Sequence, residues 1–184
     1  MSTVTELLTA EEYMALPDMF DGPVELVKGV VVTMPPPFPR HGEICIQIAY
    51  LLRRYLEDHP IGRVVGNDSS MLTERDPDSV RGPDIAYYSY ERAPKGPLPS
   101  GLLPEAPELV FEVRSSSDRW RKLHIKIAEY LAAGVRSVCV LDDETKSVHA
   151  FHADREPQVL EADHEFTLPE ILGDFRVNVR RFFD

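Results

Sequence analysis

The chain has 184 residues, 43% of them hydrophobic, and two cysteines, a length that fits one domain able to bury about 70% of its unfolded surface without disulfide staples. No stretch approaches the ~18 apolar residues of a membrane span. The N-terminal region, with Glu6, Glu11 and Glu12 and no basic run, does not read as a secretory signal, so the expected location is the cytoplasm. Twenty Lys and Arg against thirty-one Asp and Glu give a net charge of −11, which excludes a broadly basic phosphate-binding surface and leaves a local strip as the alternative.

In chain order, Thr9-Ala10-Glu11-Glu12 has the form of a capping box and opens a short helix ending near Pro17. Val24–Val27, the turn Lys28-Gly29 and Val30–Met34 predict a β-hairpin, which the run from Pro35 to Pro39 stops. From about His41 to His59, the residues Ile44, Ile48, Leu51, Leu52 and Tyr55 recur at helical spacing and predict a helix covering one sheet face. Strands follow near Arg63–Val65, Ser70–Thr73 and Asp84–Tyr88, with the polar turn Glu74–Asp78 between the second and third. The Pro- and Gly-rich loop from Ala93 to Pro107 is long enough to be a substrate-gripping flap. Glu108–Ser115 reads as a strand, Arg119–Ala133 as a helix closed by Gly134, and Ser137–Asp142 as a strand, a βαβ unit with a parallel pair. A hairpin around Asp143–Lys146 and a tail ending in Phe182-Phe183 complete one α/β domain over residues 1–184, a mixed sheet flanked by helices with an N-terminal β-hairpin. Cys45 and Cys139 fall in apolar patterns and read as buried free thiols.

Two acids stand out because they interrupt apolar runs: Asp84 in Gly82-Pro83-Asp84-Ile85-Ala86 and Glu112 in Leu109-Val110-Phe111-Glu112-Val113-Arg114. Burying an ionised carboxylate is costly unless a cation or several donors compensate it, so the pair suggests a divalent-metal site. Lys126, on the predicted helix that follows, would bring a positive charge to it. Acid, acid and base around a divalent ion is phosphodiester chemistry. Structural readings stand beside each: a strand-start cap for Asp84, a buried ion pair with Arg114 or Lys126 for Glu112, a snorkelling helix flank for Lys126. His41, at the start of the long helix, either touches phosphate or caps the helix. Arg114, Arg119, Arg121, Lys122 and Lys126, joined by Arg53 and Arg54, form either a basic strip or a solvated helix face. His149 and His152, three apart on a strand, point to opposite faces and do not suggest zinc.

The succession of hairpin, helix, Pro83-Asp84, Glu112-Val113-Arg114, Ser115-x-Ser117, Lys126-x3-Tyr130 and Gly134-Val135 resembles the Uma-type restriction-endonuclease-like proteins of the PD-(D/E)XK nuclease superfamily. The likeness runs from Glu25 to about Phe175. It implies a restriction-endonuclease-like core, hydrolysis of nucleic acid with DNA as the expected substrate, Mg²⁺ or Mn²⁺ as cofactor, and a site of Asp84, Glu112 and the peptide carbonyl of Val113 around the metal. In the superfamily the cation stands two positions after the Glu, here Arg114; in the Uma-like branch it has moved to the following helix, here Lys126. Because Arg cannot act as a base, Lys126 is expected to be catalytic and Arg114 to bind phosphate. Glu25, where related sequences carry an acid, either joins the site or is an ordinary exposed strand acid. Two departures matter: Lys122 stands where an Asp one turn before Lys126 is usual and would orient it, and Asp118 replaces a Thr. Cutting both strands of a duplex takes two sites, so a C₂ homodimer using the Phe182-Phe183 region or the long helix is expected. The alternatives are a nuclease-like protein that binds nucleic acid or a protein partner without cutting, and a nuclease acting on RNA or special structures.

Overall fold

The computed structural model describes residues 7–17, 20, 22–115 and 119–184. Asp118, Ser116 and Ser117 lie outside these. The capping box is present: the Thr9 side chain accepts from the Glu12 N–H, Glu12 answers to the Thr9 N–H, and α1 (Ala10–Met14) follows. β1 (Val24–Val27) and β2 (Val30–Thr33) pair antiparallel through Lys28 and Gly29, both at positive φ, the backbone that a two-residue hairpin turn requires. β4 (Met71–Glu74) and β5 (Ser79–Arg81) form a second hairpin, and β5 docks on β1, giving a four-stranded sheet in the order β2-β1-β5-β4.

The larger sheet has the order β10-β9-β8-β7-β6-β3, with β3 (Gly62–Gly66), β6 (Ile85–Ser89), β7 (Leu109–Arg114), β8 (Ser137–Asp142), β9 (Ser147–His152) and β10 (Gln158–Leu160). β7 and β8 run parallel and the other neighbours antiparallel, so the sheet is mixed and the βαβ unit is present. α2 (Pro39–Asp58) packs Ile44, Ile48 and Leu52 on one face, against Ile85, Tyr87, Leu109, Phe111, Val113, Cys139 and Leu141. α3 (Trp120–Ala132) covers the other face, setting Leu123, Ile127 and Tyr130 against Val110, Val138 and Val140. Alternation along β7 thus sends Phe111 and Val113 toward α2 and Glu112 toward α3.

The chain closes with β11 (Glu165–Thr167), α4 (Pro169–Leu172), β12 (Arg176–Asn178) and a 3-10 turn, Val179–Phe182. Phe182 and Phe183 are buried against Phe111 and Phe166 in the α2-side core, so this region has no apolar surface left for a dimer interface. The loop after β6 spans the end of the sheet opposite Asp84, because β6 runs away from that residue and β7 returns toward Glu112. Arg63 and Arg92 tie it down through the carbonyls of Pro94, Gly96, Ala106 and Pro107. No helix among the described residues is long and apolar enough to cross a membrane.

Candidate active site

The site forms where β6 begins, β7 nears its end, and the smaller sheet meets α3. Ile85 pairs with Phe111 across β6 and β7, so the antiparallel register continues to place Asp84 opposite Glu112. Asp84 precedes the strand proper, and its Oδ2 accepts the Val113 N–H at 2.6 Å and faces His41 Nε2 at 3.2 Å. Glu112 is 5% exposed. Its Oε1 accepts from Tyr130 Oη at 2.8 Å and lies 3.0 Å from Lys126 Nζ, which also meets Oε2 at 3.2 Å. Lys126 and Tyr130 are one turn apart on α3, the spacing that puts two side chains over one sheet position.

Glu25 arrives from β1. Its Oε1 lies 3.2 Å from Lys126 Nζ and accepts the Gly82 N–H at 3.1 Å, while Oε2 pairs with Arg81 at 2.8 Å. Arg81 on β5 holds Glu129 on α3 at the same time, through Nε at 2.6 Å and Nη2 at 2.8 Å. The Gly82 carbonyl accepts from Lys126 at 3.3 Å. A Cβ on Gly82 would meet Asp68 at 2.8–3.0 Å, so glycine here lets the Asp68 turn close over the peptide that threads between Glu25 and Lys126.

Five carboxylates, those of Asp84, Glu112, Glu25, Glu129 and Asp68, therefore face three cationic side chains, Lys126, Arg81 and His41. The formal surplus is two negative charges. It sets the protonation pattern. Burial pushes the Glu112 carboxyl up to about 7, with Asp84 adding to the rise and Lys126 opposing it. Burial also works against the charge on Lys126, but Glu112, Glu25 and Asp84 outweigh it and hold the ammonium above the ordinary lysine value. The contrast within one ion pair has a simple cause: the lysine is surrounded by acids, whereas Glu112 shares one ammonium with its rivals. For Glu25, burial is outweighed by Lys126 and Arg81, so this carboxyl titrates below its ordinary value. Burial disfavours charge on His41, yet its bond to Asp84 raises it to about 10. Asp68 is raised by burial and then by Asp84.

Asp84, Glu112, Lys126, Glu25, Val113 and His41 thus come together. Arg114 does not join them: its Nη1 lies 2.9 Å from Asp142 and 3.2 Å from Glu144, and its guanidinium sits over Trp120. The ion-pair partner of Glu112 is Lys126, on the sheet face that Glu112 shares with α3. The supposed basic strip divides, because Arg53 and Arg54 are exposed on α2 and Arg121 and Lys122 on α3, across the sheet from each other. Asp68, Arg81 and Glu129 were missed by sequence reasoning. Arg81 directly precedes Gly82-Pro83-Asp84 and so carried a usable signal; Asp68 and Glu129 carried none beyond their charge.

A hard divalent cation suits this donor set. Ionised Asp84 and Glu112 supply oxygen ligands with lone pairs beyond those already engaged, and the charge surplus equals what such an ion would neutralise.

Residues 10–180 match the model of the Uma2 family, described as "Putative restriction endonuclease". Among solved structures, the chain is similar to one described as a "putative nuclease belonging to DUF820" from Anabaena variabilis, with a TM-score of 0.82 and 19% identity over 96% of this chain and 97% of that one. A search of the curated proteins found no match. With a nuclease-like fold and a family match over nearly its whole length, the chain belongs to the Uma2 restriction-endonuclease family.

Proposed function

We propose that this protein is a metal-dependent endonuclease that hydrolyses phosphodiester bonds, with DNA as substrate and Mg²⁺, or Mn²⁺ in its place, as cofactor. The observation that carries this reading is the convergence of Asp84, Glu112, Glu25 and Lys126 in a buried cluster with two more acids than it can neutralise. Asp84, Glu112 and the Val113 carbonyl would hold the ion. Bound there, it supplies Lewis acidity toward water and phosphate.

The remaining roles fall to the chain. Lys126 keeps its proton, so it acts as a fixed positive charge toward the phosphate as negative charge grows on the oxygens, and not as a general base. Glu25 and Glu112 aim it from two elements, Tyr130 fixes the Glu112 carboxylate, and the Arg81–Glu129 pair fixes Glu25. Glu25 therefore stands in for the acid that Lys122 displaces from α3. Arg114 is an accessory phosphate contact that Glu144, itself exposed, must yield to substrate. A C₂ homodimer would place two sites on a duplex, and since Phe182 and Phe183 are buried its surface is the outer face of α2, where Ile46 and Tyr50 are exposed; light scattering giving a monomer mass at every concentration would end that part of the proposal.

A second reading, a scaffold that binds a partner without cutting, draws on one observation. Arg40 and Arg114, which line one cavity with His41 and Val113, are already paired with Asp143, Asp142 and Glu144. The deciding experiment incubates the full chain with supercoiled plasmid, linear duplex, single-stranded DNA and RNA in Mg²⁺, Mn²⁺ and chelator. Cleavage that needs the metal and vanishes in Asp84→Asn supports the enzyme; no cleavage of any substrate in either metal leaves the scaffold.

A further inference from the structure

A His41 ring nitrogen, Cys45 Sγ and an Asp84 oxygen, three atoms able to ligate a metal, lie within 4.8 Å of one another. His41 and Cys45 are four apart on α2, hence on one helix face, and Asp84 approaches from the start of β6. Their order in space is informative. The imidazole touches both of the others, with Nδ1 3.5 Å from Cys45 Sγ and Nε2 3.2 Å from Asp84 Oδ2. The sulfur holds one ring nitrogen while the other meets Asp84, and sulfur and carboxylate stay within 4.8 Å of each other. A metal-ligating histidine is commonly oriented by a hydrogen bond at the ring nitrogen that does not bind the ion, and Cys45 Sγ takes that place at Nδ1. A nucleophilic role for Cys45 is disfavoured, since burial pushes its thiol above the ordinary cysteine value.

We infer that His41, neutral once its Nε2 proton has left to solvent, is a nitrogen ligand of the cation held by Asp84, with Cys45 as the residue that positions the ring. This deepens the metal-dependent reading above and rests on it. The consequence is selectivity. Mg²⁺ prefers oxygen and keeps its waters, whereas imidazole suits first-row transition ions and strengthens binding in the order Mn²⁺ < Co²⁺. The site would take Mn²⁺ or a heavier first-row ion ahead of Mg²⁺, and the side chain assigned from sequence to phosphate or to a helix cap would belong to the metal.

The test uses Mn²⁺ alone with the full chain, read by electron paramagnetic resonance. Free-ion titration gives affinity, and the electron spin echo of the bound ion reports any directly bonded nitrogen. Wild type should show ¹⁴N modulation that changes to the ¹⁵N pattern when the protein is grown with ¹⁵N-histidine, a result that needs no variant to fold. His41→Gln should abolish the modulation and weaken Mn²⁺ by at least about 10–100-fold, the scale of losing support around a metal ligand, with a smaller effect on Mg²⁺ competition. Cys45→Ala should keep the modulation and weaken binding. Tight Mn²⁺ binding that Asp84→Asn removes, but without nitrogen modulation and unchanged in His41→Gln, overturns the inference and leaves the metal site standing. Mn²⁺ binding that is absent, or indifferent to Asp84→Asn, overturns the metal site itself.

Discussion

Glu112→Gln offers the sharpest energetic test of the site. Its carboxyl is buried and raised from 4.5 to about 7, and every tenfold change in an ionisation equilibrium is worth about 1.4 kcal/mol. Ionising Glu112 in the metal-free folded protein therefore costs about 3 kcal/mol more than in the unfolded chain. A carboxyl whose folded value lies above its unfolded one stabilises the fold as the neutral acid. That contribution is full below pH 4.5 and is lost as the pH climbs through about 7. Glutamine keeps the shape and can still accept from Tyr130 and Lys126, but does not titrate. In chelator, urea denaturation at pH 5 and pH 8 should thus show the variant gaining about 3 kcal/mol on wild type across the interval, or about 6–12 °C in Tm for a chain of this size. Saturating Mg²⁺ or Mn²⁺ at pH 8 should reverse the ranking. Wild type would gain about 4 kcal/mol at a thousand times Kd, more than that lead, and the variant, lacking one ligand charge, would gain much less. A stability gap independent of pH, or a variant several kcal/mol weaker at pH 8 without metal, would refute this: Glu112 and Lys126 would then be an ordinary stabilising ion pair.

Asp84→Asn should abolish both metal-dependent cleavage and the metal-induced rise in Tm while leaving the metal-free circular dichroism unchanged, as parallel melts with and without Mn²⁺ would show. Lys126→Ala should lower the cleavage rate by about 10²–10³-fold in single-turnover assays with Mn²⁺ affinity largely kept, and should also melt lower, because Glu25 and Glu112 lose their shared cation. Arg114→Ala should weaken duplex binding and flatten its salt dependence in fluorescence anisotropy, as loss of a phosphate contact does; an unchanged slope would confine Arg114 to its pairs with Asp142 and Glu144.

What was legible in the sequence follows a physical rule: a feature can be read when its cause is local. The hairpin turn at Lys28-Gly29, the capping box at Thr9, the 3.6-residue period of α2 and the apolar run of β8 are each set by neighbours within a few positions, and each lies where it was expected. Asp84 and Glu112 stood out because an acid inside an apolar run is anomalous wherever the chain goes next. β5 escaped because three residues, Ser79-Val80-Arg81, are too few to show alternation, and its strand character comes from β1 and β4 on either side. The Phe182-Phe183 pair gave no sign of its direction. In the fold it fills the gap between α2 and the sheet, where a long-range contact decides its burial.

The hairpin sheet explains why the departure at Lys122 need not silence the site. An acid one turn earlier on α3 could orient Lys126 only along its own helix, and Lys122 is exposed at the surface. Here the orientation comes from across the fold, from Glu25 on β1, which is fixed in turn by Arg81 on β5 and by the Gly82 N–H. Since Arg81 also clamps Glu129, one turn beyond Lys126 on α3, the helix and the small sheet are bound together on either side of the lysine. A buried network of this kind is stable only when every member is satisfied. Removing Glu25 would take one partner from both Arg81 and Lys126, which ties the acid's place in the fold to its place in the proposed chemistry and makes the four-stranded sheet part of the candidate active site.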